Sequence, residues 1–351
     1  MRALYQIPRE RRPANNGNAG LWYDKYCNTW PREREWKWSL ASYKERNREV
    51  NPKLNWIKTV TQSPVGVQAE LQEAYNRRLS LAKAWDAEPQ VFKTDWRFVT
   101  GFGREHPVEN GFAWHHTLGV PYLPGSSVKG MVRAWAEQWL DSDSEQTKDD
   151  IKRIFGPKGE GKVGSVIFFD ALPSKPVTLE IDIMTPHYGP WYSDRKPPGD
   201  WYDPVPIPFL TVAANQEFIF LITPRKDTEE AAKDAETVRK WLVEALEWIG
   251  AGAKTAVGYG RMSASKTKAN CQWLEQQIEE LAQAHNSPHE QIWRGKTLAE
   301  QWQQLEDKEI KRQALECIKA YWKEQGLWEN TRGRGAIRAK EIYEAWQQEE
   351  Q

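Results

Sequence analysis

Apolar side chains along this chain follow two different periods. In residues 68–85, Leu71, Ala74, Tyr75, Leu79, Ala82 and Trp85 recur at helical spacing. Residues 127–140 carry a cleaner stripe of Val128, Met131, Val132, Trp135, Trp139 and Leu140, so an amphipathic helix is predicted there. A third helix is predicted over 229–249 from Val238, Trp241, Leu242, Ala245, Leu246 and Ile249. Between these lie short runs rich in Val, Ile, Phe and Thr, which predict strands at 96–100, 165–171, 178–184, 209–213 and 217–222. Beyond about residue 268 the period is helical again, with Trp273, Leu274, Ile278 and Leu281 followed by Leu315, Ile318, Tyr321 and Trp322. No unit repeats at a fixed period, which argues against a solenoid.

The order strand, helix, strand, strand, helix, strand is that of a ferredoxin-like (RRM-like) unit, so the fold class is α+β. The pattern leaves open whether there is one such unit or a duplicated pair. In the duplicated case one half holds the 96–100 strand and the helix at Ser127, and the other the 209–222 strands and the helix at Glu229. Three regions are expected: a basic arm with a helical segment over 1–90, the ferredoxin-like domain over 91–266, and a helical C-terminal region over 267–351.

Charge changes this picture locally. The chain has 351 residues with 49 Lys+Arg and 49 Asp+Glu. A free-standing non-specific nucleic-acid binder is usually basic overall, so any such site here is local or completed by neighbours. The first 60 residues hold 13 basic and 6 acidic residues, and the run WPREREWKW at 30–38 interleaves charge with aromatics. Such a segment suits phosphates and bases, or is simply a solvated tail. There are 20 tryptophans, which serve packing, subunit contact or base stacking. Cys27, Cys271 and Cys317 are far apart and form no C-x-x-C pair, which argues against a disulfide framework and a structural zinc site. The N-terminus has no apolar signal core and no apolar run reaches bilayer length, so a cytoplasmic protein without a membrane partner is expected.

Two segments carry candidate chemistry. In PYLPGSSVKGMVRAW (121–135) a Gly-Ser-Ser turn opens the predicted helix at Ser126 and Ser127, offering free N–H groups to an anion. Lys129 and Arg133 follow four residues apart on one face. The alternative is an ordinary N-cap with two solvated cations. In GAGAKTAVGYGR (250–261) glycines such as Gly252 permit close backbone approach, Lys254 and Arg261 add charge, and Tyr259 offers a stacking face. It is not a Walker A loop, because Ala253 precedes Lys254 and Trp248 stands where the first glycine belongs. GFGREH fails the dinucleotide pattern at His106.

PGSSVKGMVR followed by GAGAKTAVGYGR resembles the RAMP superfamily of CRISPR systems. GFGREHPVENGFAWHHTLGVPYLPGSSVKG and GSVIFFDALPSKPVTLEIDIMTPHY are similar to the sixth-subunit family of type III-B (Cmr) effectors. The resemblance covers about residues 96–263, and departs from the family at Ala251 and Ala253, where glycine is more usual. It implies a subunit near the end of a filament wound on CRISPR RNA, with CRISPR RNA, target RNA and other RAMP subunits as partners. It also implies that RNA cleavage belongs to a different subunit. Ser126, Ser127, Lys129, Arg133, Gly252, Lys254, Tyr259 and Arg261 are the RNA-binding candidates it carries over. No cofactor, metal or catalytic residue is expected. The competing reading is a metal-independent, guide-processing endoribonuclease using His116 as base, with His106, His115, His187, Glu105, Glu109 and Asp182 as further candidates. Asp170 is expected to be a structural carboxylate at a strand end. A third reading is a scaffold whose Trp-rich surface binds protein.

Overall fold

A computed structural model describes residues 17–29, residues 40–265 except 142, 143, 158, 160 and 200, and residues 272–350 except 307. The run 30–38 and the basic residues Arg2–Arg12 lie outside them. The chain forms two units, Met1–Ala264 and Ser265–Gln351.

In the first unit Tyr23, Cys27, Leu40, Trp56 and Val60 belong to the core, so the described part of the N-terminal region is not an appended arm. Helix α1 (Ala19–Lys25) starts at Asn18, whose side chain accepts from the Leu21 N–H and donates to the His116 carbonyl. Tyr23 of α1 and Trp56 of α2 (Pro52–Ile57) are fully buried, and the Trp56 indole donates to the Tyr23 carbonyl at 3.2 Å. Helix α3 (Gln68–Ala84) follows as predicted.

The sheet then uses β1 (Gln90–Thr94), helix α4 (Gly125–Trp139), helix α5 (Glu145–Phe155), and β2 (Val166–Phe168) continuing into β3 (Leu172–Pro173). A hairpin of β4 (Leu179–Met184) and β5 (Ile207–Val212) is inserted next. The sheet resumes with β6 (Glu217–Phe220), β7 (Ile222–Pro224), helix α6 (Glu229–Trp248) and β8 (Met262–Ala264). The order across the sheet is β8-β1-β6-β3, antiparallel throughout, with Phe218 opposite Phe92 and Ile219 opposite both Val91 and Leu172. Taken by chain position this is fourth, first, third, second, with α4 and α6 as the two crossovers. That is one ferredoxin-like unit, and the elements of both expected halves belong to it. Helices α4 and α6 pack on each other over one face, where Val128, Val132, Val238, Leu242 and Leu246 are buried.

Two predicted strands moved. The first strand is 90–94 rather than 96–100; Phe98 and Val99 are buried, but only Phe98 pairs, through an isolated bridge to Val212. The run 165–171 breaks at Phe169, because Ala171 turns to exchange hydrogen bonds with Leu123, ahead of α4. Helix α6 is capped by the Thr228 hydroxyl and carries Glu229 and Glu230 in its first turn, where the helix dipole favours acid.

The second unit consists of α7 (Gln272–His285), α8 (His289–Trp293), α9 (Lys296–Gln303), α10 (Lys308–Glu324) and α11 (Arg334–Glu350). Its core holds Trp302, Trp322 and Tyr343, and each indole N–H finds a carbonyl, Lys311 at 2.7 Å and Trp293 at 2.9 Å. Cys317 is disulfide-bonded, whereas the cysteine spacing argued against a disulfide framework. No helix among the described residues is long and apolar enough to cross a membrane.

Candidate nucleic-acid interface

The two turns singled out in the sequence meet at one cleft. It encloses about 410 Å³ and is lined by Ser127, Gly130 and Met131 of α4, by Gly250, Gly252 and Thr255 of the glycine loop, and by Phe102 and Arg104 of the loop after β1.

The start of α4 differs from the expectation. Pro124, not a serine, is the N-cap, and neither Ser126 nor Ser127 caps through its side chain. The Gly125 N–H instead donates to Asp170 Oδ1 at 2.7 Å. A Cβ on Gly125 would sit 2.3 Å from the Phe168 carbonyl, so glycine lets the helix abut β2. An internal carboxylate therefore already answers the positive end of the helix. Asp170 is held in turn by Arg78, which donates to its carbonyl and whose guanidinium burial pushes down to about 10. Ser126 and Ser127 remain exposed, Ser127 on the cleft.

Lys129 and Arg133 do not line the cleft. Arg133 reaches Glu137 at 2.8 Å and the Gly156 carbonyl at 3.3 Å, over the Phe155 ring. Burial, together with Arg133 and Arg225, holds the Lys129 ammonium below its usual range. Arg225 donates to the Gly164 carbonyl at 2.9 Å. These three cations form a flank beside the cleft, of which only Lys129 and Arg133 were visible in the sequence.

In the glycine loop the freedom of glycine serves the chain's own packing. Gly252 has φ +80°, and a Cβ there would lie 2.0 Å from the Val99 carbonyl. Ala253 donates to that carbonyl at 2.8 Å and Gly260 to Arg97 at 2.8 Å, so the loop is sewn to residues 97–99. Ala251 is fully buried and Ala253 half-buried. Lys254 takes a left-handed conformation at φ +60° and lays its ammonium over Phe102 and Phe209, at 5.6 and 5.5 Å. Tyr259 is committed elsewhere: its hydroxyl donates to Asp182, which pairs with Arg97 at 2.7 Å, while Arg97 also holds Glu180 at 2.8 Å. Burial and Asp182 push the Tyr259 phenol up to about 12. Arg261 is exposed.

Gly130, Phe102, Arg104 and Arg225 were missed. The signal for Gly130 was present, as a glycine inside the predicted helix. It is exposed, and a Cβ there would meet nothing within 4 Å. Glycine within a helix costs about 1 kcal/mol relative to alanine. Internal packing gives no reason for it, and the result is bare helix backbone on the cleft.

Of the candidate catalytic groups, His106 and His116 lie near Asp24, and His115 lies near His116. His106 stacks on Tyr23 with ring centroids 4.5 Å apart, its Nε2 sits 3.0 Å from the Tyr23 carbonyl, and burial lowers its pKa. His115 is also lowered by burial and accepts from the Leu118 N–H at 3.3 Å. His116, His187 and Glu105 are exposed, and Glu109 pairs with Lys53. Among the described residues no three His, Cys, Asp or Glu side chains are grouped as a metal site.

A family model described as the RAMP superfamily matches residues 61–263. The chain is 31% identical over 265 residues to the CRISPR system Cmr subunit Cmr6 of Pyrococcus furiosus, covering 59% of this chain and 76% of that protein. It is 32% identical over 163 residues to the corresponding subunit of Saccharolobus solfataricus, covering 45% of this chain and 50% of that one. The crystal structure of Cmr6 from Pyrococcus furiosus aligns with a TM-score of 0.33 at 31% identity, over 50% of this chain and 96% of that one. Matched over more than half its length by the family model, and spanning 76% of the Pyrococcus furiosus protein, the chain belongs to the RAMP superfamily and, within it, to the Cmr6 family of CRISPR subunits.

Proposed function

We propose that this chain is a non-catalytic, RNA-binding structural subunit of a type III-B CRISPR effector. It contacts CRISPR RNA along the cleft between α4 and the glycine loop, lies close to paired target RNA, and is flanked by other RAMP subunits. The observation that carries this reading is the bare helix backbone at Gly130, facing Gly252 across one cleft. Packing does not account for Gly130, and close approach of a sugar-phosphate strand does. Arg104 at the cleft and Lys129, Arg133 and Arg225 on its flank supply cations where a neutral chain needs them. The engagement of His106 and His115 in internal stacking and hydrogen bonds supports a binding role over a cleaving one.

The test is titration with labelled CRISPR RNA across a salt series. Lys129→Ala with Arg133→Ala is expected to weaken binding about equally for unrelated spacers, since phosphate contacts position rather than specify, and to make the salt slope shallower by about 1.4 for two contacts to single-stranded RNA. Unchanged affinity and slope would refute the interface. Incubation with guide-repeat RNA is expected to yield no specific cut; scission abolished by His116→Ala would establish the nuclease reading instead.

A further inference from the structure

The C-terminal unit has a surface that its own packing does not explain. Residues 265–351 hold 13 Lys+Arg against 15 Asp+Glu, yet two lysines lie over a single indole. Trp328 lies in the turn between α10 and α11. Lys319 of α10 places its ammonium 5.2 Å from that ring and Lys340 of α11 places its own 5.5 Å away. Lys340 also donates to the Trp328 carbonyl at 2.7 Å. Lys323 follows one helical turn after Lys319. Burial, then Lys323, holds the Lys319 ammonium below its usual range, against the opposing pull of Glu344 and Glu316. The Thr331 hydroxyl closes the turn by donating to the Leu327 carbonyl at 2.8 Å. Arg332-Gly333-Arg334-Gly335 then leads into α11 with both arginines exposed.

Acids answer only part of this charge. Glu344 lies 3.6 Å from Lys340, and Glu341 lies 2.8 Å from Arg338. Among the described residues Lys319, Lys323, Arg332 and Arg334 have no ion-pair partner. Lys319 and Lys323, one turn apart on α10, repel, and a bound polyanion relieves that repulsion. The glycines indicate the shape of the polyanion. A Cβ on Gly335 would meet nothing within 4 Å, and its φ is ordinary, so the fold does not require glycine there. Its absence of side chain leaves backbone bare between Arg334 and Arg338. The cations recur at one-turn intervals, about 6 Å along each helix axis, which suits an extended strand better than a compact acidic patch. Arginine-glycine segments track single-stranded backbones in the same way.

We propose that Lys319 and Lys323 of α10, with Arg332 and Arg334 at the entry to α11, form a second RNA contact beside Trp328 that grips a single strand by its phosphates without reading its bases. The choice of RNA rests on the function proposed above; the surface itself is independent of the cleft. The full-length chain is titrated with labelled single-stranded RNA after Lys319→Gln, Lys323→Gln, Arg332→Gln and Arg334→Gln are combined. Loss of four contacts is expected to make the salt slope shallower by about 3 and to weaken binding at about 50 mM salt by tenfold or more. A slope change below about 1, with the circular dichroism unchanged, overturns the proposal and leaves an acidic protein as the occupant of this surface.

The unaltered chain supplies a test that does not depend on a variant folding. Photocrosslinking to RNA carrying 4-thiouridine should yield adducts in residues 319–340. Adducts confined to the cleft would sink this inference while leaving the cleft intact, and adducts confined to 319–340 would do the reverse.

Discussion

At the residue scale, glycines in this chain answer to two different demands. Gly252 lets the backbone pass within reach of Val99, and its φ of +80° is one that side chains rarely adopt. Gly252→Ala should therefore destabilise the first unit by about 1–3 kcal/mol in a urea titration. Gly130→Ala should do the opposite. Its helix is already formed and its Cβ site is open, so stability should rise by up to about 1 kcal/mol, while affinity for CRISPR RNA falls. A rise in both would separate Gly130 from binding. His106 gives a pH signature. Its folded pKa lies below the unfolded value of about 6.5, so the unfolded chain takes up the proton first as pH drops. Stability is complete above about pH 7 and declines as pH falls through 6.5 toward the folded value. Replacing His106 by Phe, which retains a ring against Tyr23, should flatten that decline in thermal melts between pH 7 and 5.

At the element scale, α4 depends on a residue far along the chain. Asp170→Ala removes the acceptor from the Gly125 N–H and the acid from the start of the helix, and should cost about 1 kcal/mol. Helix α5 is tied to α6 by Arg153, which forks onto Asp234 at 2.7 and 3.0 Å while Ser165 donates to the same carboxylate at 2.6 Å. Asp234 is almost fully buried, so Asp234→Ala should cost about 3 kcal/mol in the same titration. These elements also show what the sequence alone conveys. The stripes of α3, α4 and α6 specify those helices to within a few residues, because burial of one face imposes a helical period. The boundaries of β1 and β2 were misplaced for the same physical reason. Phe98 and Val99 are as buried as ladder residues, and apolarity does not say which partner the backbone takes. The site was visible as two turns but not as a geometry. Gly125 and Gly252 look like ligand-facing glycines in sequence, whereas their neighbours are Phe168 and Val99, 43 and 153 residues away.

At the scale of the whole molecule, the two units each have their own core, one centred on the sheet and one on Trp302, Trp322 and Tyr343. Calorimetry of the full chain should therefore resolve more than one unfolding transition; a single transition with equal calorimetric and van't Hoff enthalpies would show one cooperative unit. The inserted β4–β5 hairpin bears on handling. Between its strands Trp201 and Tyr192 are 76% and 77% exposed, and Trp191 is 47% exposed. Oily rings displayed on a polypeptide without charge excess make poor company in a concentrated solution. A chain produced by itself should cling to its own copies as it is concentrated, and light scattering should show those clusters dissolving when Trp191, Tyr192 and Trp201 are exchanged for serine.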